Sequence, residues 1–137
     1  MVNSEKQVTT DFWIEEQDKT YAGKHMLIDI FGAQGLDCCA KMEQVFKEAV
    51  MAANATLLHI HMHHFGEGAG VSGVAVLSES HISVHTWPER GYAAFDIFMC
   101  GNAQPELALA VIKLAFPAED VQVSYHYRGE KINEKIC

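Results

Sequence analysis

With 137 residues, 49% of them hydrophobic and 20% charged, the chain has the size and composition of one folded domain and no room for a second catalytic domain. Eighteen Asp and Glu against ten Lys and Arg give a formal net charge of -8. That balance argues against a nucleic-acid partner and suits a cationic small molecule.

The stretch Met1 to Gln7 lacks the basic-then-apolar pattern of a secretory signal, and no apolar run approaches the ~20 residues of a membrane span. A cytoplasmic chain with no membrane partner is therefore expected. The four cysteines make neither a disulfide framework nor a Cys-x-x-Cys zinc site: Cys38 and Cys39 are adjacent, Cys100 closes a strand-like run and Cys137 is terminal.

A polar leader, residues 1–22, precedes a single domain over 23–137, and the leader's Trp13 and Ile14 are candidates to dock on that domain. Alternation of Met26, Ile28 and Ile30 with His25, Leu27 and Asp29 predicts a strand over Lys24 to Phe31. Asp37 is a candidate N-cap for a helix carrying Met42, Val45, Phe46, Ala49, Val50 and Ala53 on one stripe, with Asn54 as its C-cap. Ala55 to Phe65 reads as a strand with Leu58, Ile60 and Met62 on one face and His59, His61 and His63 on the other.

After the glycine-dense segment Gly66 to Gly70, three strands are predicted at Val71 to Leu77, His81 to Trp87 and Tyr92 to Cys100, with turns short enough for antiparallel pairing. Pro105 opens a second helix striped by Leu107, Ala108, Val111, Ile112 and Ala115, and Pro117 closes it. Val121 to Tyr127 is a last strand, before a charged tail from Arg128 to Lys135. The predicted fold class is α+β: a two-layer sandwich, mainly antiparallel sheet, with two helices on one face. The apolar content of the other face predicts a homodimer.

Two groups of residues carry potential chemistry. His59, His61 and His63, with His64 and His25 as candidate neighbours, could ligate a metal if a further ligand completed the shell. The alternative is a polar strand face at an interface or pocket edge, and no metal is assigned. The segment from Ser72 to Cys100 gathers the hydroxyls of Ser72, Ser78 and Ser80, the imidazoles of His81 and His85, the carboxylate of Glu89 and the thiol of Cys100. Any one of them could be a satisfied polar group in a strand pair, but their density favours a site. A Ser-His hydrolase is disfavoured because the Gly-x-Ser-x-Gly elbow is absent.

The strings Gly70-Val71-Ser72-Gly73, Ser78-Glu79-Ser80-His81, His85-Thr86-Trp87-Pro88-Glu89, Gly91-Tyr92-Ala93-Ala94 and Cys100-Gly101 resemble the small prokaryotic S-adenosylmethionine decarboxylase proenzymes. The resemblance implies self-cleavage between Glu79 and Ser80 into a β chain (1–79) and an α chain (80–137), leaving a covalent pyruvoyl group derived from Ser80 as cofactor. Such a ketone forms a Schiff base with a substrate amine and accepts the electrons released on decarboxylation, so no separate cofactor is needed.

The same resemblance implies that Ser72 and His85 assist processing, and that Cys100 returns a proton to the substrate carbon. By that likeness Phe65 stacks on adenine, Glu89 accepts hydrogen bonds from the ribose and Trp87 closes the pocket. The chain departs from the family's His-x-Phe-x-Pro-x-Gly pattern: it reads His63-His64-Phe65-Gly66-Glu67-Gly68-Ala69-Gly70, with the proline gone and Glu67 added. Glu67 is either a solvated loop residue or a partner for a second cationic group, which leaves L-arginine or L-ornithine as alternative substrates.

Overall fold

The computed structural model describes residues 6–130; the start of the leader and the tail from residue 131, including Cys137, lie outside the described residues. The leader forms β1 (Gln7–Val8), β2 (Ile14–Glu16) and β3 (Lys19–Tyr21). The domain then runs β4 (Gly23–Phe31), α1 (Cys39–Ala52), β5 (Leu57–His64), β6 (Val71–Leu77), β7 (Ser80–Trp87), β8 (Tyr92–Met99), α2 (Pro105–Ala115) and β9 (Asp120–Arg128). A single 3-10 turn, Pro88–Arg90, links β7 to β8. The main sheet has six strands in the order β5-β6-β7-β8-β4-β9, every neighbour antiparallel, and β1 to β3 make a separate three-stranded sheet.

Strand alternation divides the residues between two faces. Met26, Ile28, Ile30, Ala75, Leu77, Ile82, Val84, Phe95, Ile97 and Met99 are buried on one face. Met42, Phe46, Ala49 and Val50 of α1 join them, with Ala108 and Ile112 of α2. Each large side chain withdrawn from water there contributes about 1.5–3 kcal/mol, so this layer holds the fold. The expected α+β sandwich with both helices on one side of the sheet is the architecture found. Among the described residues no helix is long and apolar enough to cross a membrane.

Several local expectations differ from the structure. Cys38, not Asp37, caps α1, its Sγ accepting from the Lys41 N–H at 3.4 Å. Ala53 is the C-cap, and Asn54 follows it at φ +60°. Leu58 does not share a face with Ile60 and Met62: the register against β6 shifts between Leu57 and His59, and the bulge turns Leu58 out to 64% exposure. Leu107 of α2 faces solvent. The leader docks through fully buried Ile14 and Tyr21, while Trp13 stays at the surface beside Gly129.

Two glycines and one threonine lock the start of β6. A Cβ on Gly70 would sit 2.1 Å from the Thr86 carbonyl oxygen, so that position admits no side chain, and one on Gly73 would require the Met62 side chain, 1.9 Å away at its sulfur, to move. The buried Thr86 hydroxyl accepts from the Val71 N–H at 2.8 Å and donates to the Leu36 carbonyl at 2.8 Å. This pins β6 to β7 and to the loop before α1. Thr86→Val keeps the shape and leaves both backbone groups unsatisfied, so urea denaturation is expected to show a loss of roughly 1–3 kcal/mol.

Candidate active site

The turn from β6 to β7 consists of Ser78 and Glu79, with Leu77 paired to Ser80. Glu79 holds a positive φ of +59°, a region that bulky non-glycine residues occupy at a cost. Its carbonyl oxygen accepts a hydrogen bond from the Cys100 thiol at 2.9 Å, and the Cys100 N–H donates to Ser80 Oγ at 3.3 Å. Cys100 thus holds the serine hydroxyl and the preceding carbonyl at once. Burial pushes the Cys100 thiol up from its ordinary range and the Glu79 carboxylate adds to this, against the opposing hydrogen bond from Ser80. The thiol is therefore protonated at neutral pH, as a proton donor must be.

Ser72 and His85 form a second group. They are directly opposed across β6 and β7, and Ser72 Oγ lies 2.8 Å from His85 Nδ1. His63 pairs with Ser72 from β5, and its ring stands edge-on to Phe65 at 4.6 Å. Trp87 stacks on Tyr92 at 5.2 Å, and Tyr92 on Phe31 at 5.2 Å. The Tyr92 hydroxyl donates to Asp29 at 2.6 Å, which together with burial raises its pKa to about 12. Phe65, Glu67, Trp87 and Glu89 are all exposed near this end of β7.

The two groups do not meet within one chain. Five residue steps along β7 separate Ser80 from His85, about 17 Å at the rise of an extended strand. They also differ in face: Ser80 shares the parity of buried Ile82 and Val84, whereas His85 follows His81 and Ser83 on the outer face.

The alternating histidines of β5 line the outer face of an edge strand, opposite Val76, Val74 and Ser72. Among the described residues, the cluster of metal-ligating type lies elsewhere, at His25, His81 and Asp96. His25 is thus away from β5 and not beside it. His25 Nε2 and His81 Nε2 approach Asp96 Oδ2 at 2.5 Å and 2.9 Å, and Ser83 donates to the other carboxylate oxygen. Burial opposes ionisation of Asp96, and these hydrogen bonds outweigh it, holding the carboxyl below its ordinary range. Arg128 donates to His25 Nδ1 at 3.1 Å, so Nε2 carries the proton and donates it to Asp96. That tautomer is the wrong one for a metal, and the cluster is a hydrogen-bonded brace across β7, β8 and β4.

The S-adenosylmethionine decarboxylase family model matches residues 24–129 of the chain. The chain belongs to this family. The S-adenosylmethionine decarboxylase proenzyme of Thermomicrobium roseum is 42% identical over 108 residues, which cover 78% of this chain and 93% of that relative. The proenzyme of Methanococcus maripaludis is 44% identical over 110 residues, 78% of this chain and 89% of that one. The crystal structure of the adenosylmethionine decarboxylase from Aquifex aeolicus superposes with a TM-score of 0.74 at 31% identity, covering 84% of this chain and 97% of that one.

Membership in the S-adenosylmethionine decarboxylase family makes the chain a carboxy-lyase, as its motifs implied. The matched region contains both residue groups and the Asp96 brace, and it begins after the leader sheet. The pH dependence of Cys100 alkylation, read by peptide mass, is expected to have its midpoint above the ~8.5 of an unperturbed thiol. Relative to the uncleaved parent chain, Ser80→Ala lacks the hydrogen bond that lowers this pKa, and its midpoint should move higher still. A midpoint at or below the ordinary value would contradict the placement of Cys100.

Proposed function

We propose that the chain is a self-processing, pyruvoyl-dependent decarboxylase whose substrate is S-adenosylmethionine. The observation that carries this reading is the Cys100 thiol hydrogen-bonded to the Glu79 carbonyl beside the Ser80 hydroxyl. In processing, Ser80 Oγ attacks the Glu79 carbonyl carbon, and the Cys100 thiol faces the oxygen on which negative charge develops. The amide C–N bond breaks as the ester forms, and the positive φ of Glu79 is relieved when the turn opens. A base then removes the α-proton of residue 80, the ester C–O bond breaks to free the Glu79 carboxylate, and water displaces the nitrogen as ammonia.

The pyruvoyl group so formed supplies a ketone that binds the substrate amine and draws off the electrons released with carbon dioxide. Cys100, protonated because burial raises its pKa, then delivers a proton to the substrate carbon. His85, hydrogen-bonded to Ser72, is the base of processing. Phe65 and Trp87 offer rings for the adenine, Glu89 a carboxylate for the ribose hydroxyls, and Glu67 a charge at the pocket mouth.

His85 cannot reach Ser80 of its own chain, so this reading requires a second copy. Leu27, Phe31, Val74, Val76 and Trp87 leave an apolar surface exposed on the outer face of the sheet. A twofold axis lying across the strands would join two such faces. It would lay the Ser72–His85 end of one protomer over the sheet end that carries its partner's β6–β7 turn and Cys100, twice over, so that His85 meets Ser80 around the end of the strand. The active form is accordingly a homodimer of cleaved protomers, placed in the cytoplasm and needing no nucleic acid or membrane.

Intact mass should show the chain divided into 1–79 and 80–137, with Ser80→Ala remaining whole; a parent chain that stays in one piece would overturn self-processing. Carbon dioxide release measured with S-adenosylmethionine, L-arginine and L-ornithine should favour the first by at least a hundredfold in kcat/KM. A preference for either amino acid would instead assign Glu67 to a second cationic group.

A further inference from the structure

The leader reaches the β6–β7 turn and Cys100. A cavity of about 200 Å³ is lined on the domain side by Ser78, Glu79, Cys100 and Gly101, and on the leader side by Val8 and Phe12. The Gly101 N–H donates to the Phe12 carbonyl at 3.1 Å. Gly101 has a φ of +60°, and a Cβ built on it would lie 3.3 Å from the Phe12 ring, so glycine lets the aromatic close over the loop. Phe12 itself is held at φ +67° within a turn closed by the Phe12 N–H to Thr9 carbonyl and Thr9 N–H to Trp13 carbonyl bonds. A bulky residue kept in that conformation, half-exposed at the mouth of a cavity, is not explained by packing alone.

We propose that the leader sheet is part of the reaction site: Phe12, with Val8 behind it, walls the chamber that receives the amino-acid end of the substrate, and so determines which substrates fit. This rests on the decarboxylase reading above. The chamber, about 200 Å³ and open to solvent, has room for an amino-acid moiety. The nucleoside then extends through its open side, toward the rings and carboxylate supplied by the partner's far end. Val8 and Phe12 lie outside residues 24–129, the stretch that the family model matches.

The test uses the full-length chain with Phe12→Ala, Phe12→Gly, which suits the positive φ, and Phe12→Tyr, which restores the ring. Alkylation of Cys100 by iodoacetamide, with Cys38 and Cys39 as internal references, should rise several-fold in the Ala and Gly variants and return toward the parent rate in Tyr. The KM for S-adenosylmethionine should rise about tenfold in the same two variants, with kcat within threefold and cleavage at 79–80 complete. Unchanged alkylation, or a KM within twofold of the parent in a chain that turns over normally, overturns this proposal alone. A parent chain that releases no carbon dioxide overturns the decarboxylase reading, and the substrate role of Phe12 with it.

Discussion

The register of the β6–β7 hairpin governs the rest of the molecule. A two-residue turn at Ser78 and Glu79 sets Leu77 against Ser80 and, five residues on, Ser72 against His85. The same register presents Ile82 and Val84 to the helices and Ser83 and His85 to the opposite face. Thr86 fixes it at one end by bonding Val71 and Leu36, and the Cys100 contacts to Glu79 and Ser80 fix it at the other. A slip of one residue would exchange the two faces and dismantle both groups together.

The hairpin would be less firmly placed without its neighbours. Asp96 on β8 gathers Ser83 and His81 from β7 and His25 from β4, so one half-buried carboxylate ties three strands on the outer face. Leaving that carboxylate unpaired would be costly, because burial already opposes its charge. The brace lies between the Ser80 end and the His85 end of β7. It keeps rigid the surface on which a second copy would sit.

Much of the fold was legible because it rests on periodicity. The buried stripe of α1 and the inward residues of β4 follow from spacing alone. The bulge that expels Leu58 was not legible, since it arises from pairing with β6 and leaves no mark on the alternation. Nor was the meeting of His25, His81 and Asp96, which depends on β4 inserting between β8 and β9. The leader strands are two or three residues long, too short for any pattern, and they persist because Ile14 and Tyr21 are buried. For the site, the motifs pointed to the residues, while their separation into two ends lay in the short turn at Ser78-Glu79. Counting back from that turn places His85 opposite Ser72 and away from Ser80.

The division of the site between two copies is tested most directly by pairing two inactive chains. Ser80→Ala keeps His85 but has no hydroxyl to attack, and His85→Ala keeps the hydroxyl but lacks the base. Produced separately, each should remain uncleaved; produced together with different tags and isolated as the mixed dimer, the His85→Ala chain should divide after Glu79 while the Ser80→Ala chain stays whole. Intact mass of the two tagged chains reads the result. A mixed dimer in which neither chain is cut, or a His85→Ala chain that divides without a partner, would contradict the shared site.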